Sequence, residues 1–172
     1  VEIYPLYLNR QEEALLWEEA YKVSDELFRD LGGFDLDPGF LERFKTAKLF
    51  MSWINEASED GILESYNVAP GILNQRLQNA QWLSYSAAEI SRILGLGNAE
   101  AEMKKLEARI KYGIREELIP LVSVKGIGRA RARKLFNAGV TDPSHLKKKN
   151  MRKLKALLGE KTAERILEDV AI

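Results

Sequence analysis

The chain has 172 residues, 45% of them hydrophobic and 30% charged, with acidic and basic side chains in equal number. This is the composition of a folded globular protein rather than a disordered segment. Without cysteine, and with His145 as the single histidine, a disulfide framework, a thiolate metal site and a histidine-based triad are all argued against.

No apolar run reaches the roughly 20 residues that span a bilayer. The opening VEIYPLYLNRQEE lacks the basic and apolar blocks of a signal peptide. An intracellular protein with no membrane partner is therefore expected. The chain begins without methionine, as a piece cut from a longer one would. The zero net charge hides a division: residues 119–172 hold 13 Lys and Arg against 5 Asp and Glu, a balance of +8, and the first 118 residues balance it at −8. Two domains are expected, 1–118 and 119–172, with the basic one a candidate polyanion binder. A solvated lysine-rich face is the plainer alternative.

In chain order, residues 9–31 read as an amphipathic helix. Asn9 is its cap, Glu12 and Glu13 lie in the first turn, and Leu16, Ala20, Val23, Leu27 and Leu31 recur at helical spacing before Gly32-Gly33 ends it. Asp37-Pro38 predicts the start of a second helix, buried through Phe40, Phe44, Ala47, Phe50, Met51 and Ile54, with its exit at Ser58 to Gly61. Trp17 and Trp53 are expected in the core. ILESYNVAPG reads as a connector. Pro70 then begins a helix running to about Leu94, with Leu73, Leu77, Ala80, Ala87, Ile90 and Leu94 on one stripe.

Trp82 lies half a revolution from that stripe, on a face shared with Gln75, Gln78, Asn79, Ser86 and Glu89. A large aromatic among uncharged polar residues suits a base-stacking platform. A second helix covering that face is the alternative. Gly95 and Gly97 break the helix, Asn98 is placed to cap the next, and residues 99–118 carry Met103, Leu106, Ile110 and Ile114. No segment alternates as a strand does, so the expected fold class is all-α, a helical bundle followed by a small helix-hairpin-helix domain.

After Pro120 the helices shorten and an internal repeat appears. Gly128 is followed by Ala132 and Leu135, and 31 residues later Gly159 is followed at the same offsets by Ala163 and Ile166. The last fifty-odd residues thus read as paired helix-hairpin-helix units. In the first, the glycines of Gly126-Ile127-Gly128 allow a tight turn and close backbone approach. The helix behind them points free N–H groups and its positive dipole end at the turn, making an anion site.

Arg129, Arg131, Arg133 and Lys134 add charge around it. Arg129 and Arg133 share a face, whereas about 200° separates Arg131 from Arg133, which directs Arg131 towards another strand or a neighbouring domain. The second unit has one glycine and adds Glu160 and Glu164, so it reads as the poorer phosphate binder, with a structural role. Lys147, Lys148, Lys149, Arg152, Lys153 and Lys155 form a second basic cluster, equally consistent with phosphate contact and with solvated charge. Phosphate contacts of this kind give strong salt dependence and little sequence preference.

No phosphate loop of the GxxxxGK[ST] type, acidic metal box or nucleophile–base pair is present. The carboxylates lie on helix faces beside Lys and Arg, as on solvated surfaces. A self-contained enzyme is not expected.

The stretches TAKLFMSWINEASEDGILESYNVAPGIL, AQWLSYSAAEISRILG and RIKYGIREELIPLVSVKGIGRARARKLFNAG, followed by the C-terminal repeat, resemble the archaeal Hjm-type superfamily-two (Ski2-like) DNA repair helicases. That family is related to the helicase part of DNA polymerase theta. The resemblance implies that this chain corresponds to the family's ratchet domain and helix-hairpin-helix domain, which follow two motor domains and a winged helix. ATP and Mg would then bind in those absent motor domains, and no cofactor is expected here.

It further implies that the helix 70–94 tracks the single strand with Trp82 stacked on a base. Arg129, Arg131 and Arg133 match the family's arginine-rich motif, and the hairpin domain would grip the 3′ tail. Seven residues before Trp82 the family tends to place an arginine. Here Gln75 holds that position with Arg76 beside it, and an amide cannot supply the charge. The partners implied are single-stranded or forked DNA, the parent chain's motor domains and a replication or repair protein. The residues themselves leave open a protein-docking module, and the corresponding part of an RNA helicase, since nothing in them reads a 2′-hydroxyl.

Overall fold

The computed structural model describes residues 3–27, 31, 39–148 and 151–170, less the side chains of 147, 148, 151, 153 and 167–170. Among these residues there are ten α-helices and no strand, so the fold is all-α. No helix of the described residues is long and apolar enough to cross a membrane. The chain forms two compact units, residues 1–53 with 57–79, and residues 54–56 with 80–172.

In the first unit, α1 (Arg10–Lys22) opens on a capping box. Asn9 Oδ1 accepts from the Gln11 amide, and Glu12 Oε2 accepts from the Asn9 amide. The helix stops at Lys22 rather than near Leu31, because Ser24 and Asp25 favour local turns over helix and take up a single 3-10 turn at Ser24–Glu26. The expected ending at Gly32-Gly33 and the expected start at Asp37-Pro38 lie outside the described residues.

Helix α2 (Phe40–Ile54) turns its Leu41, Lys45, Thr46 and Leu49 inward. Ala47 and Met51, expected to be buried, are exposed. The buried Lys45 ammonium donates to Glu12 Oε2 at 2.6 Å and to the Tyr7 carbonyl at 3.1 Å, which replaces the hydration it gives up. Trp17 is half-buried and stacks on Phe40, whose ring in turn stacks on Phe44.

Ser58 is a start and not an exit. Its Oγ accepts from the Gly61 amide and begins α3 (Glu59–Tyr66), which closes on Asn67 in the left-handed region, so the expected connector is mostly helix. Helix α4 (Pro70–Ile93) begins at Pro70 as expected, with residues to Asn79 in the first unit and those from Ala80 onward in the second. It buries Leu73, Leu77, Ala80, Ser84 and Ala88, and its last turn is bare: Ile90, Ile93 and Leu94 are exposed, against the expectation for Ile90 and Leu94.

In the second unit, α5 (Gly97–Tyr112) starts without a side-chain cap, one residue before the expected cap Asn98. It ends at Tyr112 and not at Leu118, because Gly113 takes φ +63° and reverses the chain. A short 3-10 turn at Glu116–Leu118 and α6 (Ile119–Val122) lead to α7 (Arg129–Asn137), α8 (Ser144–Lys148), α9 (Met151–Leu158) and α10 (Glu160–Val170). One apolar core joins them. Ala132 and Leu135 of α7 lie in it with their repeat counterparts Ala163 and Ile166 of α10, all at most 1% exposed.

Candidate nucleic-acid interface

The turn between α6 and α7 is built from inside outward. Ile127 is 2% exposed and anchors the turn in the core, while its amide donates to the Val124 carbonyl at 3.0 Å. Gly126 takes φ +86°, a backbone that side chains other than glycine's adopt only with strain. Gly128 is the N-cap of α7 in an extended conformation and has no side-chain cap, and the Ala132 amide already donates to its carbonyl. The amides of the first turn of α7 therefore have no acceptor within the helix.

The four basic residues of α7 are sorted onto two sides. Arg133 is tied down: its Nε and Nη2 donate to the two carboxylate oxygens of Glu56 at 2.8 and 2.5 Å, and Nη2 also reaches Glu117 at 2.9 Å. Its guanidinium lies over the Phe136 ring at 5.2 Å. The hydrogen bond from Arg133 holds the Glu56 carboxyl below its ordinary value, with a smaller pull from Arg129. The separate hydrogen bond from Arg133 to Glu117 lowers the Glu117 carboxyl in the same way.

Arg131 and Lys134 are exposed on the other side. Arg131 Nη1 donates back to the Gly126 carbonyl at 2.8 Å. Both residues border a concavity of about 400 Å³ with Gly128, Arg129, Ala130, Leu157 and Leu158. The expected sharing of roles is thus reversed. Arg131 stays at the turn, and Arg133, expected to join Arg129 at the phosphate, is held by acids.

The second basic cluster contributes less free charge than its sequence suggests. Lys155 pairs with Glu160 and Glu164 at 2.8 and 2.7 Å. Lys147 and Lys148 fall in α8 with side chains outside the described residues, as is Lys153's, and Lys149 lies outside altogether. Arg152 is exposed.

On α4, Trp82 is 52% exposed, so the reading of Trp82 as a core residue fails. Tyr85, not singled out in the sequence, is 51% exposed three residues on, and its spacing from Trp82 was the available signal. Gln75 is exposed. Arg76 is instead spent on the first unit, donating to the carbonyls of Tyr4 at 3.1 Å and Pro5 at 3.2 Å.

A further missed residue is Arg165 of α10. Its guanidinium reaches Gly126 so closely that a β-carbon there would sit 3.0 Å from Nη2. The repeat carried the signal, since Arg165 stands 31 residues after Lys134.

The described residues thus form an all-α module whose last helices make a hairpin pair with one open, positively flanked turn. The family model for archaeal helicase domain 4 matches residues 1–113, and that for the SAM-like helix-hairpin-helix tandem matches residues 118–171. The chain belongs to the archaeal helicase domain 4 family, continued by a helix-hairpin-helix tandem.

It is 39% identical to the ATP-dependent DNA helicase Hel308 of Methanocaldococcus jannaschii over 176 residues, covering 99% of this chain and 14% of that protein. The namesake proteins of Pyrococcus horikoshii and Methanocella arvoryzae are 38% and 34% identical, over 97% and 98% of this chain and 24% of each relative. The chain therefore spans about a seventh to a quarter of the length of these relatives.

Proposed function

We propose that this chain is the strand-gripping portion of an ATP-dependent DNA helicase that works on replication forks or recombination intermediates, with the 3′ to 5′ polarity of the family it resembles. The observation that carries the reading is the sorting of α7. Arg133 is neutralised by Glu56 and Glu117, while Arg131 and Lys134 have no carboxylate partner among the described residues and flank an uncapped helix start. A phosphate supplies the missing negative charge and accepts from amides at the helix start.

In this reading residues 119–172 hold the backbone of the strand and residues 1–118 present the stacking helix, with Trp82 against a base. ATP and Mg bind, and ATP is hydrolysed, in motor domains beyond this chain. Those domains, forked DNA and a replication or repair protein are its partners, and its setting is cytoplasmic, at the nucleoid. The relatives' name favours DNA over RNA.

The exposed apolar side chains at the end of α4 and just after it, Ile90, Ile93, Leu94 and Leu96, favour protein docking as a second role for the first domain. The test is titration of the chain with matched single-stranded DNA and RNA while following tryptophan fluorescence. Quenching with preference for DNA supports the proposal. No response to either strand leaves protein docking, and preference for RNA contradicts the DNA assignment.

A further inference from the structure

A basic side chain of each hairpin borders residues of the other. Lys134 of α7 borders the concavity formed with Leu157 and Leu158, which stand 31 residues after Gly126 and Ile127. Arg165 of α10, the repeat counterpart of Lys134, lies against Gly126 itself. Lys134 thus shares a concavity with residues of the second unit, and Arg165 lies at the turn of the first. The turns differ in what they leave open. At the second turn a leucine side chain occupies the position of Gly126, and Lys155 is already neutralised by Glu160 and Glu164.

At the first turn, Arg131 holds the Gly126 carbonyl at 2.8 Å, and the Arg165 guanidinium lies 3.0–3.7 Å from the place of a Gly126 β-carbon. Neither arginine has a carboxylate partner among the described residues, in contrast to Arg133 with its two. Two guanidinium groups that reach one glycine, neither with a carboxylate partner among the described residues, repel each other, and an anion between them relieves that repulsion. Both are exposed and so open to a ligand from solvent.

We propose that Arg165, contributed by the second hairpin, is a phosphate ligand of the first, and that it closes with Arg131 on one backbone phosphate at the Gly126–Gly128 turn. The second unit is then a working half of the grip and not a spacer. The inference rests on the reading of that turn as a phosphate site. It requires glycine at position 126 for access as well as for its positive φ.

The test uses the whole chain, a fluorescently labelled single-stranded DNA oligonucleotide, and anisotropy titrations across a range of salt. Arg165→Gln is compared with Lys161→Gln, which removes one exposed charge from the same helix, and with Arg131→Gln plus Lys134→Gln. Circular dichroism confirms that each variant is folded. One lost phosphate contact lowers the slope of log affinity against log salt by roughly 0.7 on single strands.

The proposal expects that loss for Arg165→Gln and a smaller effect for Lys161→Gln. It also expects Arg131→Gln and Arg165→Gln together to cost less than the product of their separate fold-losses. Arg165→Gln matching Lys161→Gln in slope and affinity, while Arg131→Gln plus Lys134→Gln weakens binding, overturns the role of Arg165 and leaves the turn as a phosphate site. No loss in any of these variants overturns both.

Discussion

Arg133 and Glu56, 77 residues apart in the chain, form a two-pronged ion pair in which both carboxylate oxygens of Glu56 accept from one guanidinium. Glu56 makes this contact from a backbone at φ +70°, a conformation rarely held by a residue with a side chain. The Arg115 amide donates to the same carboxylate at 3.1 Å, so three hydrogen bonds hold the strained residue in place. The most conspicuous arginine of the basic helix is thereby a structural residue. In the proposed grip on nucleic acid, the phosphate falls to Arg131, Lys134 and Arg165.

Arg133→Gln is expected to lower stability by about 1–3 kcal/mol, because Glu56, with its side chain only 14% exposed, loses a charged donor that solvent replaces poorly. Arg131→Gln removes only an exposed contact and leaves the melting temperature within error. Thermal denaturation of the two variants side by side checks the contrast. Equal melting temperatures would remove the structural role given to Arg133.

The same pair sets an acid limit on the fold. Glu56 and Glu117 are held below their ordinary value of 4.5, first by the hydrogen bond from Arg133. Groups whose folded value is depressed contribute stability that is complete above the ordinary value and is lost as pH falls through the lowered one. The wild-type advantage over Arg133→Gln is therefore present at about pH 7 and shrinks below about pH 4.5. Melting curves across that window measure it, and a constant difference would locate the stabilisation elsewhere.

Gly126 and Gly128 should respond differently to alanine. Gly126→Ala places a side chain at φ +86°, at a cost of about 1–2 kcal/mol. Gly128 is extended and a β-carbon there meets nothing within 4 Å, so Gly128→Ala costs the fold about 1 kcal/mol or less. If the turn takes a phosphate, that added methyl group obstructs the ligand, and DNA affinity falls more than stability does. Denaturation and anisotropy on the same two variants separate the effects.

Trp82→Ala is expected to leave stability almost unchanged, since the side chain is half exposed, and to cost about 1–3 kcal/mol of single-strand affinity through lost stacking. Loss of folding would show that Trp82 is a packing residue after all.

The legible parts of this chain were those fixed by near neighbours. The Asn9 box, the Pro70 start of α4 and the Gly126–Gly128 turn each follow from residues within a few positions. The repeat marked Ala132, Leu135, Ala163 and Ile166 by a shared spacing, and the structure buries all four because packing imposes that spacing twice. What failed was set at longer range or by competition. Ile90 and Leu94 continue the apolar stripe of α4, but periodicity reports a face and not whether anything covers it. Ser58 looked like an exit because the same residue type both ends and caps helices. No local pattern links Arg133 to Glu56, nor Lys45 to Glu12, since chain topology alone brings those partners together. Arg165 was within reach through its repeat offset from Lys134, yet the acids around it marked the second unit as inert.

The most direct test of the central claim is the salt dependence of single-stranded DNA binding for the wild-type chain and for Arg131→Gln plus Lys134→Gln. The account predicts a linear fall of log affinity with log salt for the wild type, and for the double variant weaker binding with a slope shallower by roughly 0.7 for each phosphate contact removed. Identical slopes and affinities for the two proteins, or wild-type binding indifferent to salt, would contradict it.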